Sequence, residues 1–269
     1  GTSGPCGPTT EIYCRYASGK DIEIWNIVFN QFLCNGSREQ LLKGDATLSE
    51  LPLFGIDTGM GFERLVMTSQ QTATIFETDL FLPLARHLPQ GLDERTQRII
   101  LDHGRGICFL ISDGVRPSNK ERGYVLRRLM RRMIVLLQHA FQEGWDIAPL
   151  FSEVIAVYQP TYAELTLETI SSVWNEEKLK FEKTLRHGLK ELERLSDISP
   201  AAAFRLYESY GLPYEIIKEM GGERAHALNR EGFEEEFKKH QAISRAGVEK
   251  KFGGHGLLLD TGELKAKDE

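Results

Sequence analysis

Cysteine is scarce in this chain of 269 residues: Cys6, Cys14, Cys34 and Cys108 form no CxxC pair and have no histidine nearby at metal-ligand spacing. That spacing argues against a disulfide framework and a zinc cluster, and it fits a reducing cytoplasm. No apolar run approaches the roughly 20 residues that span a bilayer, and no signal-like start is present, so no membrane association is expected. Basic charge is not in excess either. The formal net charge is −6, so any nucleic-acid binding has to use a local patch. Only ten prolines accompany an apolar content of 41%, a composition that supports folded cores rather than disorder. The length exceeds one average domain, and two or three domains are expected. There is no internal repeat. The chain opens on glycine rather than methionine and therefore reads as a processed product or a segment of something longer.

What is present divides at about residue 75. Residues 1–8, "GTSGPCGP", read as a loop, and "TTEIY" after them as a short strand. "DIEIWNIVFNQFL" (21–33) is rich in β-branched and aromatic residues, and alternation puts Ile22, Ile24, Asn26, Val28, Asn30 and Phe32 on one face. Two amides thus interrupt an apolar row. The polar stretch 34–50 reads as a hairpin or loop excursion, "LPLFGID" (51–57) as a returning strand interrupted by Pro52, and a helix is expected from about Gly61. Beyond residue 72 the pattern is helical, with helices predicted near 77–87, 93–112, 121–142, 148–158, 162–195, 200–210 and 231–246. Trp174, Phe181, Leu185, Leu189, Leu192 and Leu195 recur at helical spacing and read as core packing. The last stretch, "FGGHGLLLDTGELKAKDE", reads as a linker or tail.

Two stretches suggest chemistry. In "GIDTGMGFERL" (55–65) a carboxylate leaves a strand, two glycines follow, and a helix begins. Glycine removes the Cβ that would keep a ligand away, so Asp57 would suit an ammonium group and Arg64, on the first helical turn, a polyphosphate. The same pattern reads equally as a plain turn with Asp57 as a helix cap. In "DGVRPSNKERGYVLRRLMRR" (113–132), seven basic residues and one acid lie between Arg116 and Arg132. On a helical wheel started at Val125, the apolar residues 125, 126, 129, 130, 133, 134 and 137 fill one half, and Arg127, Arg128, Arg131 and Arg132 the other. Four arginines without interleaved acids should repel one another, which favours a polyanionic partner over a merely solvated face. Asn119, just before this helix, is placed to reach base edges or to cap the helix. His103 beside Asp102 reads as structural.

Taken in order, "GPCGPTTEIY", "EIWNIVFNQF", "DTGMGFERL", "DH-R" at 102–105, "DGVRPSNKERGYVLRRLMRR" and "AFRLYESYGLPYE" (203–215) resemble the consecutive signatures of alanyl-tRNA synthetases, a class II aminoacyl-tRNA synthetase family, over nearly the whole chain. The resemblance implies an α+β fold: part of an antiparallel class II sheet with flanking helices, then a mainly α-helical domain. Residues 1–75 would be the C-terminal part of the catalytic domain, 76–250 the domain that recognises the tRNA acceptor stem, and 251–269 a linker towards an absent editing domain. "GMGFER" resembles the third class II motif. Arg64 would hold ATP phosphates, together with Gly61 and Glu63 in the same motif; Asp57 would hold the alanine ammonium, and Gly59, Asn26 and Trp25 would line the amino-acid site. Arg64, Asp57 and Asn26 are the residues expected to carry catalysis.

The implied reaction joins alanine to ATP and then to the 3′ end of its tRNA, with Mg2+ bridging the phosphates and no metal held by the protein itself. Asn119 would read a G·U pair of the acceptor stem. Glu215 occupies a second acidic recognition position where many family members carry aspartate, and Arg122, Arg127, Arg128, Arg131 and Arg132 would contact phosphates. The first two class II motifs are absent, so this chain is expected to be incomplete for catalysis and to need an N-terminal synthetase segment. The editing motif H-x-x-x-H is absent too, although a methyl-sized pocket rejects glycine and serine poorly. The competing readings are a tRNA-binding module without catalysis, or half of a split synthetase, and a helical scaffold.

Overall fold

The computed structural model describes residues 3–16, 19, 21–140 and 145–240. The chain forms two compact units: residues 1–105 with 146–165, and residues 106–145 with 166–269. The division therefore lies 30 residues later than the predicted boundary at 75/76, and residues 146–165 return to the first unit. The expected tail at 251–269, and the ends of the helices predicted to reach 142 and 246, fall outside the described residues.

The first unit begins with an antiparallel sheet. Its strands are β1 (Gly4–Cys6), β2 (Thr9–Arg15), β3 (Asp21–Cys34) and β4 (Leu48–Met60). β3 is the spine: β1 and β2 pair with its two halves on one side, and β4 pairs with it on the other. The predicted opening loop is thus partly a strand. Its turn into β2 needs glycine, because a Cβ on Gly7 would lie 1.8 Å from the Phe29 carbonyl oxygen. The β3–β4 register jumps from Asn30↔Gly55 to Phe32↔Glu50, so residues 51–54 bulge opposite Gln31. Pro52, with no N–H for a ladder, sits in that bulge.

The stretch 34–50 contains a helix, α1 (Arg38–Lys43), which was expected to be loop. Ser37 and Gln40 form a reciprocal capping box and Gly44 closes the helix at φ 79°. α2 (Phe62–Gln70) follows β4 where predicted. A 3-10 turn (Ile75–Glu77), α3 (Leu82–Ala85), the first part of α4 (Glu94–Ser112) and α6 (Ala148–Tyr158) complete the unit around Phe81, Leu84, Ile100, Leu150, Phe151 and Val154.

The second unit is helical: α5 (Glu121–Ala140), α7 (Leu167–Arg194), α8 (Pro200–Tyr210), α9 (Tyr214–Gly221), a 3-10 turn (Gly222–Ala225) and a further helix α10 over residues 230–240. α7 packs against α5, α8 and α9. Trp174, Phe181, Leu185 and Leu192 are buried as their spacing requires, whereas Leu189 and Leu195 are half-buried. α9 was not anticipated; it is eight residues long and starts after Pro213.

Candidate functional site

Each unit gathers part of the predicted chemistry. In the sheet, Asn26 of β3 lies opposite Gly59 of β4, and Val28 opposite Asp57. Side chains alternate along a strand and match across a ladder, so Asn26, Gly59 and Asp57 share one face. The Asn26 amide Nδ2 donates to Glu11 Oε1 of β2 at 3.1 Å, and Tyr13 OH donates to Glu11 Oε2 at 2.5 Å. That bond to Glu11 raises the Tyr13 phenol above its ordinary value. The face therefore presents two carboxylates, Glu11 and Asp57, an amide between them, and a glycine whose absent Cβ would have met nothing within 4 Å. An open polar patch with two acids suits a small cation. Glu11 was missed in the sequence, although it lies in the short predicted strand "TTEIY" and within the signature-like stretch "GPCGPTTEIY".

Trp25 does not join this group. It pairs with Met60, and its indole Nε1 donates to Thr58 Oγ1 at 2.5 Å on the other face of the sheet. Arg64 folds back over the strand, where Nη1 donates to the Glu23 carbonyl at 2.7 Å. Gly61 makes room for that course, because a Cβ there would press on Arg64 Cδ at 3.2 Å, while its own N–H continues the ladder to the Ile24 carbonyl at 3.0 Å. Arg64 thus ends at residue 23 of β3, and Asp57 lies opposite residue 28, about 17 Å further along an extended strand.

Glu63 is held by another arginine. Arg105 Nη1 donates to Glu63 Oε1 at 2.5 Å, and the Arg105 guanidinium lies 4.6 Å from the Phe81 ring centre. Burial pulls the Arg105 guanidinium down, but its bonds to Tyr158 and Glu63 outweigh this and leave it raised. The adjacent Asp102 is lowered, chiefly by the His103 ring, whose Nδ1 lies 3.5 Å from its Oδ2, and despite partial burial. Arg105 of "DH-R" therefore anchors the first turn of α2.

In the second unit the structure overturns the argument from arginine repulsion. Acids do meet the stripe, but they come from other helices. Glu177 of α7, 3% exposed, receives Arg131 Nε at 2.7 Å and faces Arg127 Nε at 3.2 Å. Arg132 pairs with Glu219 at 3.0 Å, and Arg128 faces Glu215 at 3.8 Å. Arg131 also donates to the Gly211 carbonyl and lies 4.7 Å from the Phe181 ring centre. Even Val135, in the arginine sector of the helical wheel, is 1% exposed. The stripe packs α5 against α7 and α9.

What remains outward is the loop before α5. Asn119 and Lys120 there, and Arg122 on the first turn of α5, are exposed. The loop is tightly built: Ser118 N–H donates to the Gly123 carbonyl at 3.0 Å, and a Cβ on Gly123 would strike Ser118 Oγ at 2.2 Å and the Arg116 carbonyl at 2.5 Å. Glu121 is in the left-handed region at φ 48°, a strained conformation for a non-glycine residue. Arg127 Nη1 donates to Asn119 Oδ1 and its Nη2 to the Pro117 carbonyl at 3.0 Å.

Glu215, on the first turn of α9, accepts from Arg230 Nη2 at 2.6 Å, while its Oε2 is buried without a hydrogen-bond partner. Burial pulls the Arg230 guanidinium down, and the bond to Glu215 more than restores it. The two predicted base-reading residues, Asn119 and Glu215, are thus each met by one of two neighbouring arginines of α5.

The family model "tRNA synthetases class II (A)" matches residues 1–268. The alanine–tRNA ligase of Borrelia hermsii is 38% identical over 94% of this chain, which covers 47% of that protein. That of Treponema pallidum is 35% identical over 99% of this chain and 48% of its own length, and that of Geobacillus kaustophilus 36% identical over 90% and 31%. The chain therefore spans between 31% and 48% of the length of these relatives.

Proposed function

The chain belongs to the class II (A) tRNA synthetases, and from that premise we propose that it serves alanine–tRNA ligation in the cytoplasm. The observation that carries this reading is the strand register that gathers Asp57, Asn26 and Glu11 around Gly59, with the Arg64 guanidinium reaching from α2 to residue 23 of β3. An ammonium group at the acidic end and nucleotide phosphates at the arginine end describe an amino acid laid against ATP. In the proposed reaction an alanine carboxylate oxygen bonds to the α-phosphorus as the bond from that phosphorus to pyrophosphate breaks. A ribose hydroxyl of the terminal adenosine of the tRNA then bonds to the alanyl carbonyl carbon, gives up its proton, and AMP leaves. Asp57 would orient alanine, and Arg64 would leave the Glu23 carbonyl to grip phosphate. Mg2+ would arrive with the triphosphate and offset its charge. Among the described residues no group of three His, Cys, Asp or Glu is arranged to hold a metal ion.

The same reading assigns acceptor-stem recognition to Asn119 and Glu215, with Lys120 and Arg122 as the outward cations for phosphate. It also makes this chain insufficient for activation. What supports that part is the uncovered sheet: β4 pairs only with β3 among the described residues, and Leu53, Phe54 and Ile56 are 83%, 58% and 66% exposed. A segment carrying the first two class II motifs would cover it. The test is alanine-dependent ATP–pyrophosphate exchange. The chain alone should show none, addition of that segment should restore it, and Asp57→Asn should abolish the restored activity. Exchange by the chain alone refutes the incompleteness, and restored exchange that survives Asp57→Asn refutes the site. If exchange is not restored but acceptor-stem RNA still binds, a tRNA-binding module is the better description.

A further inference from the structure

We propose that Arg127 is the positioning residue that fixes which way the Asn119 amide faces, and so sets what a nucleic-acid partner must offer there. The inference rests on the reading of Asn119 as a base-contacting residue and adds the device that makes it selective. A free asparagine presents an acceptor and a donor, and a flip of its amide exchanges them. Here the acceptor is used: Arg127 Nη1 donates to Asn119 Oδ1. A guanidinium has no acceptor, so the flipped amide would bring its NH2 group against another donor and lose the bond.

Arg127 itself cannot turn away easily. Its second terminal nitrogen donates to the Pro117 carbonyl at 3.0 Å, two residues before Asn119, and its Nε lies 3.2 Å from the buried Glu177 carboxylate on α7. The fork therefore joins the recognition loop to the helix core at residues 117 and 119. With one lone pair of Oδ1 committed to Arg127, exposed Asn119 offers its Nδ2–H donors in a fixed direction. G·U and G·C pairs both carry a pyrimidine O2 acceptor and differ in where the wobble places it, so a donor held in one direction reads that displacement. The same contacts withdraw Arg127 from phosphate binding, the role that the basic stripe suggested for it.

The experiment uses the full chain and two acceptor-stem RNA hairpins that differ only in carrying a G·U or a G·C pair, with affinities measured over a salt series. Arg127→Met keeps the apolar stem, and Glu177 keeps Arg131 at 2.7 Å, so folding should survive; thermal unfolding checks this. If Arg127→Met does not fold, Arg127→Lys replaces it, since one ammonium cannot hold both loop acceptors in the geometry of a fork. The expected result is a roughly tenfold loss of discrimination between the hairpins with an unchanged salt slope. In the double variant with Asn119→Ala, the loss should be no greater than in Asn119→Ala alone.

Equal weakening for both hairpins with a salt slope reduced by about one would make Arg127 a phosphate contact and overturn the proposal. So would preserved discrimination in Arg127→Met, or additive losses in the double variant. If the unaltered chain does not discriminate between the hairpins, the reading of Asn119 fails first and the role of Arg127 falls with it.

Discussion

Removing the Glu177 carboxylate should reveal how strongly the core of the second unit depends on it. Glu177→Met keeps side-chain length and helix propensity but leaves Arg127 and Arg131 without their common anion. Breaking a buried ion pair by deleting one partner costs about 3–5 kcal/mol. The lower end applies here, because Arg131 is 17% and Arg127 21% exposed, and each keeps a carbonyl acceptor, that of Gly211 or Pro117. A loss of about 3 kcal/mol, with a denaturant slope near 3 kcal/mol/M, moves the urea midpoint down by about 1 M. Fluorescence of Trp174, buried on the same helix, would follow the transition together with far-UV circular dichroism. Adding Arg131→Met removes one of the stranded charges and should recover part of the loss. A single variant within about 1 kcal/mol of the parent, or a double variant whose losses simply add, would show that Glu177 is not the electrostatic hub described here.

Two further outcomes follow from the same unit. Burial pushes the Tyr207 phenol up to about 12, so the folded chain keeps its proton at a pH where the unfolded chain, with an ordinary tyrosine near 10, has lost it. The stabilisation is complete below pH 10 and is lost as pH rises towards 12, by at most about 3 kcal/mol, and in Tyr207→Phe the fall in denaturation midpoint over that window should be smaller. Gly123→Ala would drive a Cβ into Ser118 Oγ and the Arg116 carbonyl, so the recognition loop must move; a cost of about 1–3 kcal/mol in thermal unfolding and weaker acceptor-stem binding are expected, and full retention of both would refute the packing argument.

Local signals were the legible ones. β3 was readable because β-branched and aromatic residues alternate through it, and α7 because its apolar residues recur at helical spacing. Asp57, Gly59 and Asn26 could be grouped from motif and alternation, and the register brings them together. Trp25, adjacent in sequence to Asn26, was drawn into the same group, although a strand sends neighbouring side chains to opposite faces. Distant partners were the illegible part. The arginines of α5 looked unopposed because their acids lie on other helices, 46 positions on at Glu177 and 87 at Glu219. Glu11 meets Asn26 only through strand pairing. α1 and α9 were missed because six or eight residues are too few to establish a helical period.

The bulge at residues 51–54 has a practical consequence. It lifts Leu53 and Phe54 off a strand whose outer edge has no partner among the described residues, and such edges are templates for self-association. In a purified sample each molecule offers its neighbours a sticky rim, and recovery of monodisperse material should fall as concentration rises. Handling the purified chain therefore means diluting it, or supplying a companion that shields the rim from the outset.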